Sequence, residues 1–245
     1  MPTLSVIIPT YNEADYLEDA LFSVNFADEV IVIDSCSTDH TKAIAMAANC
    51  IVLERTFDNF SAQKNAAIAK ATGDWILFMD ADERVSKKLK HEILTELAAP
   101  KHNAYLLKFP HFYMNRFLYH HIGKVKRLAK NDDLYFEGAV HEKLITKGSV
   151  GKLKNYMIHY TYKGLTHYLK KKDSYAWFQA ETRLNKGKKV GFMQLAFKPA
   201  YRFFHSYIIK RGFIDGIPGL AVAAINAYGV FSRYVKQLLL EQNKN

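Results

Sequence analysis

Through residues 1–100 the chain alternates short unbroken apolar runs with stretches whose apolar positions fall at helical spacing. Leu4–Ile8 is a continuous aliphatic run closed by Pro9-Thr10, the pattern of a strand buried on both faces. Residues 13–25 place Tyr16, Leu17, Ala20, Leu21 and Val24 on one helical face, with Asn12 as a candidate cap. Val30–Ile33 is a second strand, a helix from Thr38 or Asp39 to about Ala48 follows, and Ile51–Leu53 is a third strand. Residues 61–71 suit a short helix with Ser61 as a possible cap and Gly73 beyond its end. Trp75–Met79 is a fourth strand running into Asp80-Ala81-Asp82-Glu83, and residues 86–97 form the next helix.

Strand and helix in this rhythm predict an α/β fold: a Rossmann-like, mostly parallel sheet flanked by helices. Ligands in such sheets bind outside the carboxyl ends of the strands. Thr10-Tyr11-Asn12-Glu13, Asp34-Ser35 and Asp80-Ala81-Asp82 each follow a predicted strand, so they are expected to converge on one cleft. From 104 to 160 the pattern changes to short strand-like pieces, Ala104–Phe109, Val125–Leu128 and Tyr156–Tyr160, expected to extend the sheet in mixed or antiparallel fashion. Helical spacing returns over 164–184, 192–209 and about 217–240. The expected division is an α/β domain over 1–163, with 1–100 and 101–163 as its two parts, and a helical extension over 164–245. Gly212–Phe231 is apolar but interrupted by Asp215, Pro218 and Asn226, short of the roughly 20 clean apolar residues of a spanning helix.

Charge sharpens this division. Residues 1–142 hold 15 basic and 20 acidic side chains, whereas residues 143–245 hold 19 basic and 4 acidic ones. A basic C-terminal part implies a polyanionic partner, and the aromatics and aliphatics between its cations favour a membrane surface over nucleic acid. Lys198, Arg202, Phe203, Phe204, Tyr207, Ile208, Lys210 and Arg211 carry that alternation. A helix packed on the catalytic domain with a wet basic face would have the same composition. Met1–Ser5 has no basic cluster and Leu4–Pro9 is too short for a secretory core, so the expected location is cytoplasmic, on the inner face of the membrane. Cys36 and Cys50 do not form a disulfide framework.

The chemistry lies at the strand ends. Two carboxylates one residue apart, Asp80 and Asp82, can face a divalent cation together or through water. A departing diphosphate needs that neutralisation. Asp34 is placed to accept from a base or ribose, or to cap the next helix, a role that Asp39 fits better. Lys64 lies in a helix whose start can face the cleft and meet phosphate.

Ser5-Val6-Ile7-Ile8-Pro9-Thr10-Tyr11-Asn12-Glu13, then Val32-Ile33-Asp34-Ser35 with Ser37-Thr38-Asp39, then Asp80-Ala81-Asp82 resemble glycosyltransferase family 2, the inverting enzymes of GT-A fold. Phe136-Glu137-Gly138-Ala139-Val140-His141-Glu142 and Ile158-His159-Tyr160 extend the likeness to about residue 165. The tail Lys210-Arg211-Gly212-Phe213-Ile214-Asp215-Gly216 resembles the lipopolysaccharide inner-core β-glucosyltransferases of that family.

The resemblance assigns Pro9, Thr10, Tyr11, Glu13 and Asp34 to base and ribose, and Lys64 to the diphosphate or ribose. It gives Asp80 a contact to ribose or metal-bound water, and makes Asp82 the main ligand of Mn²⁺ or Mg²⁺ with His159 as a second. It makes Gly138 part of the loop leading to an acidic base. The family's base motif has two acidic residues where this chain has His141-Glu142, so Glu142, His141 and Glu137 all stand as candidates.

The reaction so implied is an inverting transfer from a nucleotide-sugar, UDP-glucose foremost, to a glycolipid or lipopolysaccharide-core acceptor, with no nucleic-acid partner. A sugar-nucleotide nucleotidyltransferase would share sheet and metal but wants a glycine-rich phosphate loop after its first strand, and Thr10-Tyr11-Asn12-Glu13 has no glycine. A non-catalytic basic module binding membrane or nucleic acid leaves the polar clusters at successive strand ends unexplained.

Overall fold

The computed structural model describes residues 2–138, 142–160 and 165–242, and of residues 120, 121, 167 and 171 the backbone alone. Two compact units emerge, residues 1–109 with 123–159, and residues 110–122 with 160–245.

The first unit is built on a mixed sheet. β1 (Leu4–Thr10) pairs in parallel with β2 (Glu29–Asp34) on one side and β4 (Trp75–Phe78) on the other, and β3 (Ile51–Glu54) adds in parallel to β2. Their aliphatic side chains fill both faces: Ile7, Ile31, Ile33, Ile76 and Phe78 on one, Val6, Ile8, Val32 and Leu77 on the other, all fully buried. α1 (Ala14–Ser23), α2 (Thr41–Ala47), α3 (Phe60–Ile68) and α4 (Lys87–Ala98) complete the crossovers. Over residues 1–100 the predicted strands and helices are present within a few residues of their expected ends, whereas the strands holding Val125–Leu128 and Tyr156–His159 begin earlier, at Arg116 and Val150.

Beyond β4 the sheet is mixed: β7 (Arg116–Lys130) runs antiparallel to β4, β6 (Ala104–Tyr113) follows it, β10 (Val150–His159) pairs in parallel with β6, and β5 (Glu83–Val85) closes the edge antiparallel to β10. β5 and the small hairpin of β8 (Tyr135–Glu137) and β9 (Lys143–Ile145) carry no readable alternation, being 3 residues each.

Two expected caps are corrected. Asn12 does not cap α1: it sits at φ 52°, and its side-chain oxygen accepts from Thr38 N at 2.9 Å. Ser61 lies inside α3, which Asn59 caps by accepting from Ala62 N at 2.9 Å, the ordinary geometry for an asparagine at that position.

The second unit gathers α5 (Leu165–Asn185), α6 (Phe192–Phe204), a π-helical turn (His205–Ile209), a 3₁₀ turn (Gly212–Asp215) and α7 (Gly216–Gln242). α7 packs against both α5 and α6. Gly219 is required where α7 passes the 3₁₀ turn, since a Cβ there would sit 1.9 Å from the Gly212 carbonyl oxygen. Among the described residues Gly212–Gln242 is the one helical segment long and apolar enough to cross a membrane by length and composition. The segment meets that test although Asp215, Pro218 and Asn226 interrupt it.

Candidate active site

Parallel pairing brings the first polar clusters together. Thr10 lies beside Asp34 in the β1–β2 register, and its hydroxyl donates to Asp34 Oδ1 at 2.9 Å. Ser37 donates through its hydroxyl to Oδ1 at 2.6 Å and through its backbone N–H to Oδ2 at 2.7 Å. Asp34 is fully buried, so these donors replace water, and Oδ2 keeps capacity for a further hydrogen bond. Asp39 ties the two loops, accepting from Thr41 N at 3.0 Å and Ala14 N at 3.1 Å. Glu13 opens α1, with its own N–H donating to Thr41 Oγ1 at 2.9 Å. Pro9 is half-buried within β1, and Tyr11 stands exposed at the strand's mouth.

On the other side of β1, Asp80-Ala81-Asp82 forms the turn between β4 and β5. Arg84 holds this turn, its guanidinium donating to the carbonyls of Ala81 (2.7 Å), Glu83 (2.8 Å) and Tyr16 (2.6 Å). Antiparallel pairing of β5 with β10 sets His159 opposite Glu83. That register carries the imidazole to the second aspartate, with His159 Nε2 3.2 Å from the Asp82 carboxylate. Burial works to lower the His159 pKa, but the bond to Asp82 and the charges of Asp82, Glu83 and Asp80 outweigh it and raise the pKa.

Arg127 was not foreseen from the sequence. Its Nη2 donates to Asp80 Oδ2 at 2.8 Å and to Glu83 Oε1 at 3.0 Å. Burial opposes ionisation of Asp80, yet the adjacent Arg127, with Lys64 and His159, holds this carboxyl well below the usual carboxylate range. Glu83, with 1% of its side chain exposed, is pushed up to about 7 by burial and by the charge of Asp80, against the pull of Arg127. No local signal marked Arg127, which follows Lys126 in Val125-Lys126-Arg127-Leu128; its partners are set by the pairing of β7 with β4.

Lys64 comes from α3. It is buried, donates from Nζ to Glu142 Oε1 at 2.8 Å, and lies 4.8 Å from the centroid of the Phe136 ring. Its neighbour Gln63 donates to Ser35 Oγ at 2.7 Å, which ties α3 to the end of β2. Ser61 donates to the Gly138 carbonyl at 2.5 Å, and Gly138 has φ 100°, a conformation that side-chain-bearing residues rarely adopt. Glu137 is exposed on the β8–β9 hairpin. His141 lies outside the described residues.

Asp80 thus sits in the field of Arg127, Lys64 and His159, and Arg127 in that of Glu142. The structure gathers Asp80, Asp82, His159, Lys64 and Glu142 at the carboxyl end of the parallel strands. Among the described residues no group of three or more His, Cys, Asp or Glu side chains converges as a closed metal cage. The pair of Asp82 and His159 fits a hard cation that fills its other positions with phosphate oxygens and water.

The model of glycosyl transferase family 2 matches residues 5–156, more than half of the chain. The chain belongs to that family. It is therefore a glycosyltransferase. An uncharacterized glycosyltransferase of Rickettsia felis is 31% identical over 96% of this chain and 89% of its own length. The lipopolysaccharide core biosynthesis glycosyltransferase LpsC of Rhizobium meliloti is 25% identical over 94% of this chain and 93% of LpsC. Residues 1–349 of Staphylococcus aureus TarS, crystallised with UDP-GlcNAc, share the fold: the TM-score is 0.51 at 16% identity, over 98% of this chain and 92% of that one. The α/β architecture expected from the sequence is the GT-A fold of this family.

Proposed function

We propose that this family 2 glycosyltransferase moves a sugar, glucose foremost, from a UDP-sugar to a glycolipid or lipopolysaccharide-core acceptor, inverting the anomeric configuration. The observation that carries the reading is the convergence of Glu142, Lys64, Asp80, Asp82 and His159 on one strand-end cleft. The full-length likeness to LpsC supports the acceptor class.

Thr10, Asp34 and the loop after β1, with Pro9, Tyr11 and Glu13, take the base and ribose. Asp82 and His159 hold Mn²⁺ or Mg²⁺, and when bound the ion neutralises charge on the diphosphate oxygens. Lys64 adds a buried positive charge for the diphosphate, and Asp80, kept ionised by Arg127, would accept from ribose or from water beside the cation. Glu142 removes the proton from the acceptor hydroxyl as it attacks the anomeric carbon from the face opposite the nucleotide, and the diphosphate leaves with the bonding pair. Lys64 holds Glu142 by its Oε1, so the carboxylate that meets the acceptor is fixed in orientation. Gly138 lines the sugar pocket. The extension over 164–245 sets the enzyme against an anionic membrane on its cytoplasmic face.

Incubating the protein with UDP-glucose, Mn²⁺ and a core oligosaccharide acceptor, with proton NMR of the product, tests the reading. A β-linked product is expected from the α-linked donor. An α-linked product, or UDP release without transfer under any acceptor, counts against it.

A further inference from the structure

α6 has no buried side chain along its whole length, although it packs against α7. Its apolar residues fall into two rows. Leu195, Pro199 and Phe203, half-buried, lead to the buried Ser206 and mark the packed side. Met193, Phe197, Tyr201, Phe204 and Ile208, spaced by three or four residues, form an opposite row that is 62%, 57%, 63%, 50% and 43% exposed. The row continues round the following turns, where Phe213, Ile214 and Ile217 are exposed. Water-facing apolar side chains in such numbers form a patch beyond what an isolated soluble surface carries.

The exposed charges around this patch have one sign, Asp215 in the 3₁₀ turn being buried. Lys186, Lys188 and Lys189 stand exposed just before α6, Lys198 and Arg202 follow Phe197 and Tyr201 along one edge of the row, and Lys210 and Arg211 close its far end. Among the described residues none of them forms an ion pair. An apolar row bordered by unpaired cations matches an anionic lipid surface, where the row enters the acyl boundary and the cations meet headgroup phosphates.

We infer that α6, the two turns after it and the start of α7 form a lipid-insertion element that lies in the interface of an anionic bilayer. This rests on the glycolipid-acceptor reading above and gives it a physical surface. The element lies flat although α7 is long enough to cross. α7 is bound to α5 by a polar seam that a bilayer core would not accept: Lys236 pairs with Asp173, Arg183 Nε donates to Gln237 at 2.9 Å, and Lys172 Nζ donates to Asn226 at 2.9 Å.

The test is flotation of the full chain with vesicles of phosphatidylglycerol and phosphatidylethanolamine, against vesicles of phosphatidylcholine, at low and high salt. Binding to the anionic vesicles is expected, weakened by salt, with each cation at the surface worth roughly fivefold in partition. The triple variant Phe197→Ser, Phe204→Ser, Phe213→Ser should partition at least ~100-fold less while its melting curve is unchanged. A Phe213→Trp variant should be quenched most by lipids brominated near the headgroup.

Equal binding to neutral vesicles overturns the inference, as does strongest quenching at the bilayer centre, which would mean a span. Sedimentation without vesicles covers the remaining occupant: a dimer that the triple variant dissociates, with no vesicle binding, makes the face a contact between copies. UDP release by the wild-type chain without vesicles is read separately, so that failure of the transferase reading and failure of this one are told apart.

Discussion

Along β1 and β4 the apolar side chains are inside, and the charges gathered at the strand ends have partners. Phe78 is fully buried edge-on to Phe136, and Arg127, Lys64 and His159 each face a carboxylate. In residues 165–242 the order is reversed along α6: Phe197 and Tyr201 face water while Lys198 and Arg202 have no acidic partner among the described residues. A buried, paired charge keeps a fixed position in a medium of low dielectric, which suits a group that must meet a developing charge in one geometry. An exposed apolar row beside unpaired cations has no such geometry to hold, and suits a broad anionic partner. The proposed function asks for this difference: a unit that acts on a small ligand and a unit that rests on a surface.

The contrast can be broken by mutation. The largest effect is expected at the reacting group: Glu142→Gln should lower turnover by about 10²–10⁴-fold, while UDP-sugar affinity, measured by calorimetry, survives. Near-normal turnover would move the base to His141 or Glu137. Phe78→Ala should cost about 3–5 kcal/mol in urea unfolding, because it empties a filled core site. Arg127→Leu should cost a similar ~3–5 kcal/mol by leaving Glu83 and Asp80 without a counter-charge, and a loss below ~1 kcal/mol would show that the cluster tolerates their repulsion. The smallest effect belongs to Phe197→Ala, within about 0.5 kcal/mol, since that ring packs against water. If Phe197→Ala destabilised the protein as Phe78→Ala does, the two units would not differ as described.

Much of the first unit was legible in the sequence because its signals are local. β1 to β4 are apolar runs long enough to read, and strand-end binding in parallel sheets is a general rule, so Thr10, Asp34 and Asp80 were placed without coordinates. What escaped depends on pairing between distant segments. β5 is too short to show a period, yet its register with β10 is what brings His159 to Asp82, 77 residues away. For that meeting the family resemblance supplied the only hint.

Arg127 had no local signal: the antiparallel register of β7 with β4 sets Leu128 opposite Leu77, so that Arg127, one residue earlier, reaches Asp80 just past the end of β4. In the second unit the helices were readable from spacing. Which of their apolar rows is packed and which is bare was not, because α6 carries apolar residues on more than one side. The π-helical turn at His205–Ile209 had no signal in composition.

The most direct measurement is UDP binding by calorimetry, with and without Mn²⁺, for the wild-type chain and for Asp82→Asn. Wild-type affinity should rise at least ~10-fold with the metal, and Asp82→Asn should erase that gain while leaving the weaker metal-free binding in place. Equal metal-dependent gain in both proteins would contradict the assignment of Asp82 to the cation, and with it the account of how this site releases a diphosphate.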